Sequence, residues 1–405
     1  MKVKKIIKTK FPFAIRIYHA IKNEIDLIKY NFHHKMILAH SQKYQGFALE
    51  NKIVFLNFDG RGYGCNPKYI AEEIIKRKLK YDLVWLVKKD DTTMPKQIRQ
   101  VLIDSEECYK ELATAKVIIN NVKGDINLSK RLGQFYIQTW HAGFSPKYLE
   151  GDAKSTLPPC YILESKYNSK DSDLFISNSI AQTEEYRRAF WCNCEILECG
   201  LPRNDVFWSD LDNKKRVIKE QLSIKFDCKI VMYAPTFRGG NDQLSDYGID
   251  LDSIKTTIEQ KFEGEWIVLL RMHPNIKTAK NTNSNIIDVS NYPDMQDLLI
   301  ITDILITDYS SSMFDIIEMN KMVFVYANDL ESYQQLRGLK QEFFSLPFSI
   351  AQTNTQLIDN ILGFNEYKYI REIEKVREKY CTYDSGRASE AIVNLIEDRM
   401  NDCNA

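Results

Sequence analysis

The six histidines of this 405-residue chain divide sharply: His19, His33, His34 and His40 lie near the N-terminus, and only His141 and His273 lie in the body. Each body histidine follows an apolar run that reads as a strand, 135–140 before His141 and 266–272 before His273. Imidazole titrates near neutrality, so it is the usual group for taking a proton from an attacking hydroxyl. A single histidine is more often a satisfied core residue. Here both body histidines sit at strand ends, one two residues before Gly143 and one before Pro274, which favours chemistry.

Three other strand ends carry polar groups. Thr307-Asp308-Tyr309-Ser310-Ser311 leads from a strand into an apolar-periodic helix through Phe314 and Asp315. Free N–H groups and the positive dipole end of such a helix suit a phosphate, although plain capping by Ser310 or Ser311 needs no ligand. Tyr233-Ala-Pro-Thr236-Phe-Arg238 ends a strand at Pro235 and delivers Arg238 into a turn at Gly239 and Gly240. A guanidinium there can fork across two phosphate oxygens or pair with a surface acid. The loop Asn57-Phe-Asp59-Gly-Arg61-Gly-Tyr-Gly64 allows close backbone approach and reads as an acceptor-side loop, but its spacing is not that of a dinucleotide fingerprint. Asp90 and Asp91 are adjacent, yet no Asp-x-Asp pair is placed for a divalent ion, and no metal ligand is assigned. Positive side chains and helix ends would then stabilise a departing phosphate.

Short apolar runs alternating with helical patterns must position these groups. Strands are expected at 53–58, 83–87, 117–120, 135–140, 174–177 and 195–199, then at 229–234, 266–272, 286–289, 303–307 and 323–326. Asn66 offers an N-cap and Pro67 a first-turn residue for a helix reaching about Lys78. Gly200, Pro202 and the charged stretch 209–216 mark a boundary. The pattern predicts an α/β chain of two Rossmann-like domains facing a cleft, 46–205 on the acceptor side and 206–385 on the donor side, with a closing helix over 386–405.

The formal net charge is zero, which gives no bias toward nucleic acid. Residues 1–45 nevertheless hold ten Lys and Arg against Glu24 and Asp26, a net +8 that leaves −8 on the rest. Ala14, Ile17, Tyr18, Ile21, Ile25, Ile28 and Phe32 share one helical face. A basic amphipathic arm on an anionic inner leaflet is expected, against the plainer reading of a surface helix packed on the protein's own body. No apolar run is long enough for a membrane span and no secretory leader is evident, which places the body in the cytoplasm. Nine scattered cysteines without paired Cys-x-x-Cys spacing read as free thiols; a zinc site at Cys192, Cys194 and Cys199 would lack a nearby histidine.

The segments Thr139-Trp-His141-Ala-Gly143, Tyr233-Ala-Pro-Thr-Phe-Arg238, Arg271-Met-His273-Pro274 and Thr307-Asp-Tyr-Ser-Ser311 with Phe314-Asp315, in this order, resemble the CDP-glycerol glycerophosphotransferase family of teichoic-acid primases and polymerases, also found in capsule synthesis. The resemblance covers about residues 50–385. It implies a GT-B-type fold, and attack by an acceptor hydroxyl on the β-phosphate of CDP-glycerol or CDP-ribitol with release of CMP, with no cofactor required. It implies His141 as general base, with Arg238, His273, Ser310 and Ser311 around the donor phosphates and Asp315 at the nucleotide ribose. Tyr233, Thr236, Arg271, Thr307 and Asp308 fall on the donor side with them, and Asp59, Arg61 and Lys147 on the acceptor side. Action on the inner membrane face with lipid-linked or glycan acceptors is implied too. The family's usual His-Gly-Thr is here His141-Ala142-Gly143, and its following basic pair is reduced to Lys147 after Pro146. The alternatives are a sugar-nucleotide glycosyltransferase, which would release a nucleoside diphosphate, and a non-catalytic scaffold of wall or capsule synthesis.

Overall fold

The computed structural model describes residues 12–123, 130–238, 247–272 and 286–402. The apolar runs form strands because their branched and aromatic side chains fill both faces of parallel sheets. Strands β1 (Glu50–Leu56), β2 (Asp82–Val87), β3 (Ile98–Leu102), β4 (Ala115–Asn120), β5 (Phe135–Gln138), β6 (Leu174–Ser177) and β7 (Glu195–Glu198) make one sheet in the order β3-β2-β1-β4-β5-β6-β7. Strands β8 (Lys229–Tyr233), β9 (Trp266–Leu270), β10 (Ile286–Asp288), β11 (Ile304–Thr307), β12 (Met322–Tyr326) and β13 (Ile350–Ala351) make the second, in the order β10-β9-β8-β11-β12-β13. All pairings between these strands are parallel. Each sheet reverses its winding once, at β1/β4 and at β8/β11, and doubly wound sheets open a ligand crevice beyond the strand ends at that point.

Three local expectations are corrected. β5 stops at Gln138 because Trp140 takes a φ of +52°, which no strand residue can hold. Asn66 does not cap its helix: Gly64 occupies that position, and the Asn66 amide instead donates to the Trp140 carbonyl at 2.9 Å and the Thr139 carbonyl at 3.3 Å. β3 and β13 were not anticipated: β3 is only half-buried and lacks a continuous apolar run, and β13 is two residues long.

Buried contacts join the two lobes. Arg203, in the short 3-10 turn Pro202–Trp208 after β7, pairs with Asp315 at 2.9 Å, and both are about 5% exposed or less. Lys68 and Tyr69 bind Asp294 at 2.6 and 2.9 Å, and Lys340 pairs with Glu185. The backbone of 146–148 also meets 338–340 through Lys340 N to Pro146 O at 2.9 Å and a bridge between Lys147 and Leu339. Past the helix Glu366–Tyr380 the chain crosses back. Ile392, Val393, Ile396 and Met400 of the helix Ala388–Asp402 pack with Ile53, Ile70 and Val117 of the first domain.

The N-terminal helix runs from Pro12 to Gln42, 31 residues and about 46 Å. Its last turns pack on the first domain: Ile37 is 4% exposed, His34 stacks on Tyr167, and His40 binds Glu106 at 2.9 Å. Ile17, Ile21, Ile25, Ile28, Phe32 and Met36 remain 44–67% exposed along one face. The side chains of Ala14 and Tyr18 lie outside the described set. Among the described residues no helix is long and apolar enough to cross a membrane.

Removing one partner of a buried ion pair strands the other charge, at a cost of about 3–5 kcal/mol. Asp315→Ala is therefore expected to lower the urea midpoint substantially, and Asp315→Asn less. An unchanged midpoint in the alanine variant would show that Arg203 does not hold the lobes together.

Candidate active site

The loop after β5 is fixed at every carbonyl from 139 to 142 by side chains from elsewhere. Asn66 binds those of Thr139 and Trp140, Arg203 Nη1 that of His141, and Gln182 Nε2 that of Ala142 at 2.6 Å. Gln138 Oε1 accepts from Trp140 N at 2.9 Å. These bonds offset the left-handed backbone at Trp140, of the sort that persists only where surroundings impose it. A Cβ at Gly143 would lie 2.9 Å from the Asn178 amide, so the turn leaves no room for a side chain there.

The His141 ring lies between Trp140 and Phe58, with centroids at 4.0 and 5.3 Å. Its Nδ1 is 2.8 Å from the Asn121 carbonyl oxygen. A carbonyl only accepts, so Nδ1 carries the proton and Nε2 is the free base. Burial pushes the His141 pKa down to about 4; the Asn121 bond opposes this, and the charges of Arg203 and Lys147 add to it. His141 is therefore neutral throughout the physiological range.

Asn121 follows β4 and organises the facing loop as well. Its Oδ1 accepts from Phe58 N at 2.8 Å and its Nδ2 donates to Asn57 Oδ1 at 2.7 Å. Asn57 in turn holds the carbonyls of Arg61 and Gly62 at 2.9 and 3.1 Å. Phe58, Asp59 and Gly60 all have positive φ, and a Cβ at Gly60 would meet Ile103 Cδ1 at 2.3 Å. Arg61 is exposed and Asp59 half-buried on this loop.

On the second domain, the anticipated donor residues fall into two groups. Arg238 is bound to Asp329 at 2.7 and 3.0 Å, to Asp308 at 2.8 Å and to the Thr236 carbonyl at 2.5 Å, beneath the rings of Tyr309 and Tyr333. Asp308 is buried and also accepts from Thr236 N at 2.8 Å. Thr307 Oγ1 donates to the Ala234 carbonyl at 2.7 Å, Tyr233 lies in the sheet core, and Arg271 donates to the Tyr292 carbonyl at 2.9 Å. Asp315 has both oxygens engaged, by Arg203, Asn204 and Gln296. Tyr233 apart, these side chains have partners within the protein, at the turns after β8, β9 and β11. Asp315, expected at a ribose, lies at the lobe junction.

The second group keeps polar capacity. Thr236 Oγ1 is buried with no hydrogen-bond partner among the described residues. Ser310 Oγ accepts from Ser312 N and Oγ at 3.3 and 2.9 Å, and Ser311 caps nothing with its side chain. His273 and Pro274 lie outside the described residues, as do Gly239 and Gly240.

Lys147 links the two sides. Burial lowers its ammonium pKa to about 8; the charges of Arg337 and Arg238 add to this and Asp308 opposes it. The same ammonium is felt at His141. Expected on the acceptor side, Lys147 also bridges through its backbone to Leu339 of the second domain. Cavities of about 490 and 350 Å³ lie at Arg131 and Asp173 and between Lys68 and Tyr292, and include none of these residues.

Arg203, Asn121 and Arg337 were not singled out from sequence. Arg203 and Asn121 each follow a strand end, the same positional signal that marked His141. The zinc arrangement is not formed: the one cluster of potential ligands among the described residues is Glu318, Cys381 and Asp384.

Residues 38–398 match the family described as CDP-glycerol:poly(glycerophosphate) glycerophosphotransferase. The chain is 33% identical to the teichoic acid poly(glycerol phosphate) polymerase of Staphylococcus epidermidis over 85% of its own length and 50% of that protein's. It thus spans about half the length of that relative and of the Bacillus subtilis polymerase, to which it is 31% identical. It is 31% identical to the teichoic acid glycerol-phosphate transferase of Staphylococcus aureus, over 89% of this chain and 98% of that one. Its fold superposes on the wall teichoic acid polymerase TagF, in a form soaked with CDPG, with a TM-score of 0.81 and 29% identity over 97% of this chain and 99% of the other. A UDP-N-acetylglucosamine 2-epimerase of Listeria monocytogenes shares only the fold, at 11% identity and a TM-score of 0.51 over 87% of this chain and 97% of that one. The doubly wound domains, the imidazole at the first cleft edge and the family match together establish that this chain belongs to the CDP-glycerol:poly(glycerophosphate) glycerophosphotransferase family.

Proposed function

We propose that the protein transfers an alditol phosphate from a CDP-alditol, CDP-glycerol first, to the hydroxyl of a lipid-linked or glycan acceptor in teichoic acid or capsular polymer synthesis. The observation that carries this reading is the neutral His141, protonated at Nδ1 by its bond to Asn121 and basic at Nε2. In the proposed step the acceptor oxygen attacks the β-phosphorus, its proton passes to Nε2, and the bond to CMP breaks. Negative charge of the bound diphosphate would raise the imidazole pKa from about 4 and ease that transfer. Lys147, Arg337, the orphaned Thr236 hydroxyl, Ser310 and Ser311 are assigned to the diphosphate oxygens, and His273 is grouped with them from its motif. Arg238 and Asp308 act by holding the turn that carries Thr236.

Incubation with CDP-glycerol and CDP-ribitol separately, followed by nucleotide analysis, tests the reading directly. CMP release is expected; release of a nucleoside diphosphate from a sugar nucleotide would replace it with glycosyl transfer. His141→Ala should keep donor binding and lose turnover by roughly 100-fold or more, the scale of a removed general base. Full turnover in that variant would remove His141 from catalysis.

The pH profile follows from two groups. His141 must be neutral to act, so kcat/KM loses its base only as pH falls toward about 4, not through the ordinary 6.5. Lys147 must be charged, so kcat/KM falls as pH rises through about 8. A steady-state profile should therefore be flat between these limbs. An acid limb centred near 6.5 would put the imidazole in water and contradict the site.

The N-terminal helix is assigned to an anionic membrane surface on the cytoplasmic face. Its exposed face supplies Ile21, Ile25 and Ile28, and residues 1–45 supply the net +8. Ile21→Glu with Ile28→Glu should cut binding to anionic vesicles about tenfold or more in flotation, since burial of each isoleucine is worth about 1.5–3 kcal/mol. High salt should weaken the unmodified chain as well. Binding that ignores both changes would count against this assignment.

A further inference from the structure

The sequence left Cys192 and Cys194 as scattered thiols, but the structure brings their sulfurs to 3.5 Å. They lie in the turn between the helix Ile180–Ala189 and β7, where Trp191 has a φ of +53°. Arg187 holds the carbonyls of both cysteines, at 3.1 and 2.5 Å. Cys192 is fully buried, whereas Cys194 is partly exposed. That is the arrangement of an attacking and a resolving thiol.

The pair is wired to the base. Cys192 belongs to an apolar cluster with Trp140, Ala142, Tyr186 and Phe190. Phe190 meets the Trp140 ring edge-on at 4.8 Å, and the Trp140 ring lies 4.0 Å from His141. The buried Lys123 ammonium sits 3.7 Å over the Phe190 ring and bonds Ser169, which bonds the Phe190 carbonyl, both at 2.5 Å. Lys123 is two residues beyond Asn121, whose carbonyl fixes the imidazole. A bond from Cys194, then the charges of Arg187 and Lys123, lower the Cys192 pKa to about 7 against its burial. One proton is thus shared between two sulfurs, and the pair is a thiolate for part of the time at neutral pH.

We propose that Cys192 and Cys194 form a reversible dithiol–disulfide pair, oxidised by low-molecular-weight disulfides, whose closure disturbs the backbone turn that carries His141. With the shared proton moved onto Cys192, the Cys194 sulfur attacks one sulfur of RSSR; an S–S bond to Cys194 forms and RS⁻ leaves. Cys192 then attacks the Cys194 sulfur and expels the second RS⁻. The protein loses two electrons and two protons, and RSSR leaves as two RSH. Closing the contact from 3.5 Å to a covalent bond near 2.05 Å draws the sulfurs together by about 1.5 Å. A cluster packed as tightly as a protein interior transmits such a shift to Phe190 and Trp140.

The test uses the full chain equilibrated with reduced and oxidised glutathione, acid-quenched, alkylated and mapped by mass spectrometry. A Cys192–Cys194 crosslink is expected, with loss of two hydrogens and reversal by dithiothreitol. Hydrogen exchange of the 139–143 amides should quicken in the oxidised form, a readout that needs no turnover and so stands apart from the proposed activity. Turnover should fall about tenfold or more, the order of loss that a misplaced base produces, and recover on reduction. Cys194→Ser, at the partly exposed position, should abolish both effects; Cys192→Ser serves as the second variant. The idea is overturned if both thiols stay alkylatable while other cysteines oxidise, if the crosslink leaves exchange at 139–143 unchanged, or if Cys194→Ser retains the reversible loss.

Discussion

One guanidinium holds the molecule's two halves and its base in a single frame. Arg203 is buried, gives one nitrogen to the His141 carbonyl and another to Asp315 in the second domain, and takes Asn66 Oδ1 on its own backbone N–H at 3.1 Å. Asn66 in turn grips the Trp140 carbonyl. Any movement of one lobe against the other is therefore felt at the loop that carries the imidazole. A buried ion pair is weak evidence for stability as such, because desolvation consumes much of its attraction. Its directional bonds make it a good device for fixing geometry, and that is the role the partners of Arg203 describe.

The same economy explains the donor side. An arginine and an aspartate within two family motifs would ordinarily be assigned to the ligand. In the structure Arg238 and Asp308 neutralise each other and clamp the turn after β8, with Asp329 as third partner. A guanidinium already bonded to two carboxylates brings no net positive charge to a diphosphate. Lys147 and Arg337 pair with no carboxylate among the described residues and can bring it. Lys147 lies on the first domain's loop, bridged to Leu339, and Arg337 ends the helix Leu330–Arg337, while Arg238 and Asp308 hold the turn after β8.

What the sequence made legible was local. Strand after strand stood within two or three residues of its apolar run, and His141 and the Ser310 turn fell at strand ends because a doubly wound fold presents its loops there. What it hid was pairing over distance. Arg203 and Asp315 are 112 residues apart, and nothing local to either says that they meet. Arg238 reads alike whether it faces a phosphate or Asp329, 91 residues on. The stop of β5 at Gln138 was hidden for the same reason: the left-handed Trp140 is imposed by Asn66 and Gln138, not by its own preference.

The N-terminal helix shows how far periodicity reaches. The apolar spacing of 14–32 defines a face, but a face can be covered by the protein or left open, and the spacing is identical in both cases. The structure divides the two outcomes along one helix. Ile37 and the rings of His34 and His40 are turned to the first domain, anchoring the helix through Tyr167, Tyr109 and Glu106. Ile21, Ile25, Ile28 and Phe32 stay in solvent. A helix docked by its last turns presents the remaining face in a fixed orientation relative to the cleft. A surface that receives that face would hold the cleft at one height and angle, which a freely hinged arm could not do.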